Sequence, residues 1–133
     1  MLDHIRKTLH PERYHGTGKR PPFFEGWYFK LVSADRRERF AIIPGIFLSD
    51  DPTVQHAFVQ VFDGVSGAVS YHRFPAEQFR AIDDPFAVSL GANQFRMDQL
   101  TLDIQDDLRS VSGTLRFGAA TPWRVNTLEP GVM

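Results

Sequence analysis

Cysteine is absent from this chain of 133 residues. Its absence excludes a disulfide framework, thiol catalysis and thiolate metal sites. The formal net charge is only −1, and acids and bases are interspersed, so the composition offers little attraction for nucleic acid or for a charged headgroup surface. No apolar run approaches the length that crosses a bilayer, and the first residues lack the apolar core of a signal peptide. The chain is therefore expected in the cytoplasm, either free or in peripheral contact with a membrane.

Amphipathic helical periodicity is missing as well, and short apolar stretches alternate with turn signals instead. This pattern predicts an all-β fold, an antiparallel barrel or sandwich of eight or nine short strands without a substantial helix. Two hairpins are expected, turning at residues 34–38 and 64–67. Residues 1–22 are predicted to be an irregular lead-in, residues 23–120 a single β domain, and residues 121–133 an extended tail.

The predicted strands fall into two kinds. Leu100, Leu102 and Ile104 alternate with polar residues, which is typical of a strand with one solvent-facing side. The strands predicted before residue 64 are instead apolar on both faces and need cover on both sides. Because no helix is available, we expect either a second domain on the outer side or a large exposed patch that favours dimerisation or aggregation. Pro44 inside its strand predicts a bulge or an edge position.

Phenylalanine is abundant, with 12 residues, which indicates either a Phe-rich β core or a cavity for a long apolar or aromatic ligand. Aromatic residues are densest in the segment PPFFEGWYFK, residues 21–30, where Glu25 shares a strand face with Trp27. A carboxylic acid in an aromatic wall can keep its proton near neutral pH and act as a general acid. The alternative is that Glu25 pairs with a nearby Arg or Lys.

His56 and Gln60 share a strand face with Phe58 and Phe62, and such a polar pair on an apolar face suits the orientation of a ligand hydroxyl. The alternative is a histidine that is satisfied inside a core or lies at a strand end, and the same alternatives hold for His72. The remaining histidines have no regular ligand spacing, so we expect no metal site.

Several motifs carry a family resemblance. FFEGWYFK, residues 23–30, preceded by Pro11-x-x-Tyr14-His15-Gly16, resembles the opening of the tocopherol cyclase family. The resemblance continues along nearly the whole chain, in YHRFP (71–75), NQF (93–95), LTLDI (100–104), SGTL (112–115), PW (122–123) and PGVM (130–133). It implies a lipocalin-like β architecture and, as in the plant and cyanobacterial members, closure of a prenylated quinol to a chromanol ring. Family members run to about twice this length, so the resemblance also implies that the tail leads to a second half.

For such acid-type chemistry, Glu25 and His56 are the candidate catalytic residues, with Glu25 as the acid. Aromatic rings would shield a cation and hold the prenyl tail, and polar groups would position the quinol. The predicted ligand-binding residues are Trp27, Tyr28, Phe29, Phe58, Gln60 and Phe62.

We expect no cofactor and no metal. The expected partners are an apolar or prenylated small molecule and either a second copy or a C-terminal half, but not nucleic acid. Two alternatives to a cyclase stay open: a non-catalytic lipocalin-like binder of an apolar or isoprenoid ligand, and a structural half-domain whose aromatic residues are all core.

Overall fold

Ten antiparallel strands account for most of the chain that the computed structural model describes, residues 10–107 and 110–121. One 3₁₀ turn, Ala76–Gln78, is the sole helical element in these ranges, and no helix there is long and apolar enough to cross a bilayer. Residues 1–9 of the predicted lead-in and residues 122–133 of the predicted tail lie outside the described residues. The strands are β1 (Phe23–Gly26), β2 (Phe29–Val32), β3 (Arg39–Leu48), β4 (His56–Asp63), β5 (Val69–Phe74), β6 (Phe79–Asp83), β7 (Phe86–Leu90), β8 (Asn93–Arg96), β9 (Gln99–Gln105) and β10 (Ser110–Arg116).

The strands form two five-stranded sheets. In the first sheet β3 pairs with both β1 and β2 on one side and with β4 on the other, and β5 follows β4. The second sheet has the order β10-β9-β8-β7-β6, in which every strand pairs with its neighbour in the chain. The predicted hairpins are both present, as β2–β3 and β4–β5. The all-β prediction is confirmed, and of its two forms the sandwich is the one observed, since the described strands do not close into a barrel.

The core lies between the sheets. The first sheet contributes residues such as Ile46, Val59 and Val61, and the second contributes Leu90 and Phe95. Each of these side chains is at most 2% exposed, and burying an aliphatic or aromatic side chain fully contributes about 1.5–3 kcal/mol. In β9 the inward residues Leu100, Leu102 and Ile104 alternate with polar residues, as their sequence pattern predicts. The second sheet therefore has one apolar and one polar face.

Pro44 lies in β3, a central strand, and the pairing of β3 with β4 runs past it without a bulge. The prediction of a bulge or an edge position is therefore wrong. The irregularity falls on the neighbouring edge strand: β1 and β2 pair with β3 in one register but are separated at Trp27 and Tyr28. Proline has no N–H to donate, so a ladder past it is incomplete. The Trp27 N–H donates to the Pro44 carbonyl at 3.0 Å, and this bond bridges the gap.

The outer face of the first sheet is apolar, as the bifacial pattern of the early strands predicts. Phe58 points to this side from β4 and is nevertheless 0% exposed. Its ring is stacked between Phe24 and Tyr71, with centroid distances of 5.5 and 5.1 Å. Gly45 of β3 leaves the room for the ring, because a Cβ at this position would lie 2.3 Å from Cζ of Phe58.

Candidate functional site: a carboxylate–imidazole pair in an aromatic pocket

The irregular residues 10–22 pack against both sheets, and we call this segment the N-terminal clasp. The Trp27 indole Nε1–H donates to the Glu12 carbonyl at 2.8 Å, which ties the clasp to the first sheet. The Tyr14 backbone N–H donates to a carboxylate oxygen of Asp83 at the end of β6, at 3.1 Å, which ties it to the second. The Tyr14 ring also packs against Phe79 of β6, with ring centroids 5.3 Å apart. The clasp therefore spans the gap between the sheets.

Trp27 lies where the clasp meets the sandwich. Its ring is stacked on Phe79 at a centroid distance of 6.2 Å and is tilted against Phe86 and Tyr14 at 6.0 and 6.3 Å. The residue is 9% exposed and belongs to the core. The break between β1 and β2 therefore places Trp27 inward, whereas the next residue, Tyr28, is 66% exposed.

Glu25 of β1 is bound by His15 of the clasp through both carboxylate oxygens. The His15 backbone N–H donates to Oε2 at 2.9 Å, and the His15 ring Nδ1 lies 2.5 Å from Oε1. The two side chains are 15% and 17% exposed, so the pair is partly shielded from water. The predicted alternative, an ion pair of Glu25 with Arg or Lys, is not what the described residues form, since the partner is histidine.

The Glu25 carboxylate affects the pKa of Tyr14, the residue next to His15. Burial raises the pKa of the Tyr14 phenol, and the negative charge of Glu25 raises it further. The Tyr14 hydroxyl also explains Gly16, because a Cβ at Gly16 would lie 2.2 Å from it. The packing of Tyr14 against Gly16 thus helps to position the His15 imidazole between them against the Glu25 carboxylate.

The pair lies in the wall of a cavity of about 500 Å³, which we call the dyad pocket. Its volume is in the range that small-molecule sites occupy, and a few polar groups in an apolar wall are typical of such sites. Nε2 of His15 makes no hydrogen bond to a described residue, so it is the ring nitrogen available to a ligand. The pocket is lined by Pro11, His15, Phe23, Phe24, Glu25, Gly26, Trp27 and Tyr28.

The predicted site residues do not all gather here. Glu25, Trp27 and Tyr28 line the dyad pocket, whereas Phe29 faces the interior and packs against Phe95 at a centroid distance of 5.7 Å. The other four predicted residues lie on β4 and point to the outer face of the first sheet, opposite to Glu25: His56, Phe58, Gln60 and Phe62. Glu25 and His56 therefore do not share a site.

His56 is satisfied at a strand end. Its Nδ1 lies 2.7 Å from the Val54 carbonyl oxygen, and its Nε2 lies 2.7 Å from the Tyr71 hydroxyl. A guanidinium nitrogen of Arg73 lies 3.2 Å from Nδ1. Burial raises the pKa of Tyr71, and the Arg73 cation opposes this to a smaller extent. This arrangement matches the alternative interpretation of His56 as a histidine bound at a strand end.

His72 lies on the inner face of β5 and is 1% exposed. Its Nδ1 contacts the Asp106 carboxylate after β9, and its Nε2 lies 2.9 Å from the Ser70 hydroxyl. The order of groups is that of a Ser–His–Asp triad, but Ser70 does not line the dyad pocket, and the imidazole joins the two sheets across their interior. We interpret this chain of bonds as a structural tie, in line with the predicted core histidine.

In the described ranges, no group of three or more His, Asp or Glu side chains is arranged to hold a metal ion. The fold and the site together define an all-β sandwich with a carboxylate–imidazole pair in an aromatic pocket. Comparisons with family models, with curated proteins and with solved structures find no match for this chain.

Proposed function

We propose that the chain binds a prenylated hydroquinone in the dyad pocket and closes it to a chromanol by acid-type cyclisation. The resemblance of the EGWY segment to the tocopherol cyclase family suggests this reaction. The observation that carries the proposal is the Glu25–His15 pair in the wall of an aromatic pocket. A site of this kind combines a proton donor with apolar cover for a hydrocarbon tail.

The reaction needs one proton in and one proton out. Protonation of the prenyl double bond forms a C–H bond and a tertiary cation, the phenolic oxygen then forms a C–O bond to that cation, and its O–H bond breaks. Substrate and product have the same composition, so the ring closure involves no oxidant or reductant. The aromatic rings around the pocket would stabilise the cation through their π faces.

Within the pair, the hydrogen bonds divide the roles. Both Glu25 oxygens are engaged by His15, which leaves Nε2 of His15 to exchange a proton with the ligand. We therefore assign proton transfer to the pair as a unit, with Glu25 holding the imidazole in place and sharing the proton at Nδ1. This modifies the expectation that Glu25 alone is the acid, and it leaves His56 without a catalytic role.

Turnover of a prenylated hydroquinone by the whole chain tests the proposal, with chromanol detected by chromatography and mass spectrometry. Positioned acid–base groups contribute about 10²–10⁴-fold to rate, so His15→Gln and Glu25→Gln should each lower turnover by a factor in this range. His56→Gln is the matched control, because it makes the same change on the opposite face, and it should leave turnover within about twofold. No chromanol with the unsubstituted chain, or equal losses in His15→Gln and His56→Gln, would show that the proposal is wrong.

A second candidate function is favoured by a second cavity, the intersheet groove of about 490 Å³. Neither a titratable side chain nor a cation is among its lining residues, so it suits the binding of an apolar ligand without turnover. It is lined by Leu31, Phe40, Ile42, Val61, Leu100, Leu102 and residues 110–115 of β10.

Fluorescence titration with cis-parinaric acid, a fluorescent fatty acid with a polyene chain, tests the groove. Val111→Trp would fill it and should abolish saturable binding, whereas Ile82→Trp, on an exposed position of β6, should not. Binding without chromanol formation indicates the lipocalin-like binder. Absence of saturation, together with absence of turnover, favours the third alternative, a structural half-domain.

A further inference from the structure

We infer that the outer face of the first sheet is a docking surface for an anionic lipid bilayer. This inference is independent of the proposed cyclisation, since it concerns a different surface and needs no substrate. It begins from the side chains that the register of β1 to β5 places on one side.

The face exposes large apolar side chains. Phe24 is 64% exposed and Tyr28, in the break between β1 and β2, is 66% exposed. Val32 of β2 and Val69 of β5 are 48% and 55% exposed, so the apolar surface extends from one edge of the sheet to the other. The second sheet differs, because β9 and β10 present mainly Gln, Thr, Asp and Ser on their outer side. Contiguous exposed apolar surface of this kind marks an interaction site.

The charges on this face have one sign. Lys30, Arg39 and Arg73 point outward and are exposed. None of the outward positions of β1 to β5 carries Asp or Glu, although the whole chain has 16 acidic residues. The nearly neutral composition hides this arrangement, because only the strand register reveals which charges share a face.

An anionic bilayer matches both properties. Aromatic and aliphatic side chains insert at the boundary of headgroups and acyl chains, and Lys and Arg beside them reach the phosphates. Each cation near an anionic surface strengthens binding by about fivefold. A second copy of the chain on the same face would oppose three cations to three cations, which argues against a face-to-face dimer.

The docking surface is continuous with the dyad pocket. Phe24 and Tyr28 belong to the apolar surface and also line the pocket wall. A hydrophobic ligand dissolved in the bilayer would therefore reach the pocket without crossing water.

Co-sedimentation of the chain with lipid vesicles tests the inference. We expect binding to phosphatidylcholine vesicles that contain phosphatidylserine, weak binding to phosphatidylcholine alone, and a decrease with added salt because salt screens the attraction. Lys30→Glu with Arg39→Glu should weaken binding by at least about 25-fold, from about fivefold per cation. Val32→Ser with Val69→Ser should weaken binding to a smaller extent by removing apolar contact.

The second sheet provides matched controls. Arg96→Glu with Arg116→Glu makes the same change of charge on its outer side, and Ile82→Ser with Met97→Ser removes exposed apolar side chains elsewhere; neither should change binding by more than about twofold. Equal losses in test and control variants would overturn the inference, as would no binding by the unsubstituted chain. A dimer in light scattering that Val32→Ser with Val69→Ser dissociates would also overturn it, and would indicate that another copy covers this face. Because the vesicles contain no hydroquinone, the result is separate from that for the cyclisation.

Discussion

Gly45→Ala should destabilise the sandwich, because Gly45 lies directly under the Phe58 ring. A methyl group at Gly45 would lie 2.3 Å from Cζ of Phe58 and 2.6 Å from the carbonyl oxygen of Glu25. Both distances are too short for a methyl group, so both contacts must relax, and Phe58 is held between two other rings. Overpacking of this kind costs about 1–3 kcal/mol. Alanine also reduces the conformational entropy of the unfolded chain, which stabilises the folded state by about 0.4–1 kcal/mol. We therefore expect the free energy of unfolding to fall by about 1–2 kcal/mol.

Urea denaturation followed by circular dichroism measures this change, and the midpoint of thermal unfolding should fall by roughly 3–8 °C. Gly26→Ala is the matched control, because its nearest contacts would be 3.3 Å, to Ile43 and to the Pro44 carbonyl, and small shifts relieve them. We expect a change of less than about 1 kcal/mol there. An unfolding midpoint of Gly45→Ala equal to that of the unsubstituted chain would refute the argument from close packing.

The double variant Gly45→Ala with Phe58→Leu identifies the atom that limits the site. Leu is smaller than Phe at the contact, so part of the penalty of the methyl group should disappear in the double variant. The coupling should be about 0.5–1 kcal/mol if the ring is responsible. If the free-energy changes of the two single variants simply add, the penalty comes instead from the contact with the Glu25 carbonyl, because a substitution at position 58 does not relieve that contact.

Three further predictions follow from single contacts. Trp27→Phe removes the donor to the Glu12 carbonyl and should lower the free energy of unfolding by about 1–2 kcal/mol in urea denaturation; an unchanged value would contradict a role of this bond in holding the clasp. The raised pKa of Tyr14 means that the folded state keeps the phenolic proton above pH 10.0, where the unfolded state loses it, so stability should fall as pH rises above this value. Tyr14→Phe should flatten that decline in a pH series of urea denaturation curves, and an unaltered slope would count against it. Asp106→Asn weakens the tie to His72 and should cost about 1–3 kcal/mol, whereas Asp103→Asn, on the outer side of β9, should cost less than about 0.5 kcal/mol.

Much of the fold could be predicted because its pattern is local. Alternation in β9 identified the inward residues, and turn chemistry placed both hairpins. The apolar faces of β3 and β4 indicate an outer surface that needs cover, and no helix among residues 10–107 and 110–121 covers it. The prediction for Pro44 is wrong, because a rule that considers one strand at a time cannot show that the interruption falls between β1 and β2 on the neighbouring edge.

The candidate site was less accessible to sequence reasoning. Glu25 was identified by its aromatic neighbours, but its partner His15 lies in an irregular segment without periodicity, so no spacing rule connects them. Gly16 is the one sequence signal for this segment, because a glycine next to Tyr14 and His15 indicates that a side chain packs closely against the backbone there. His56 is a candidate because it forms a polar pair with Gln60 on an apolar strand face, and only the strand register shows that this face is opposite to that of Glu25.

The N-terminal clasp also constrains the order in which the chain assembles. Tyr14 bonds to Asp83, which is 69 residues further along the chain, whereas β2 to β5 and β6 to β10 form from neighbouring segments. Contacts between distant segments form late, because closing a long loop precedes any gain from the contact. During synthesis, the clasp must therefore wait for β6 before it can dock on the second sheet. The bonds from His15 to Glu25 and from Trp27 to Glu12 do not involve β6, so an incomplete chain that stops before residue 83 would keep the partners of the dyad but would lack the tie from the clasp to the second sheet.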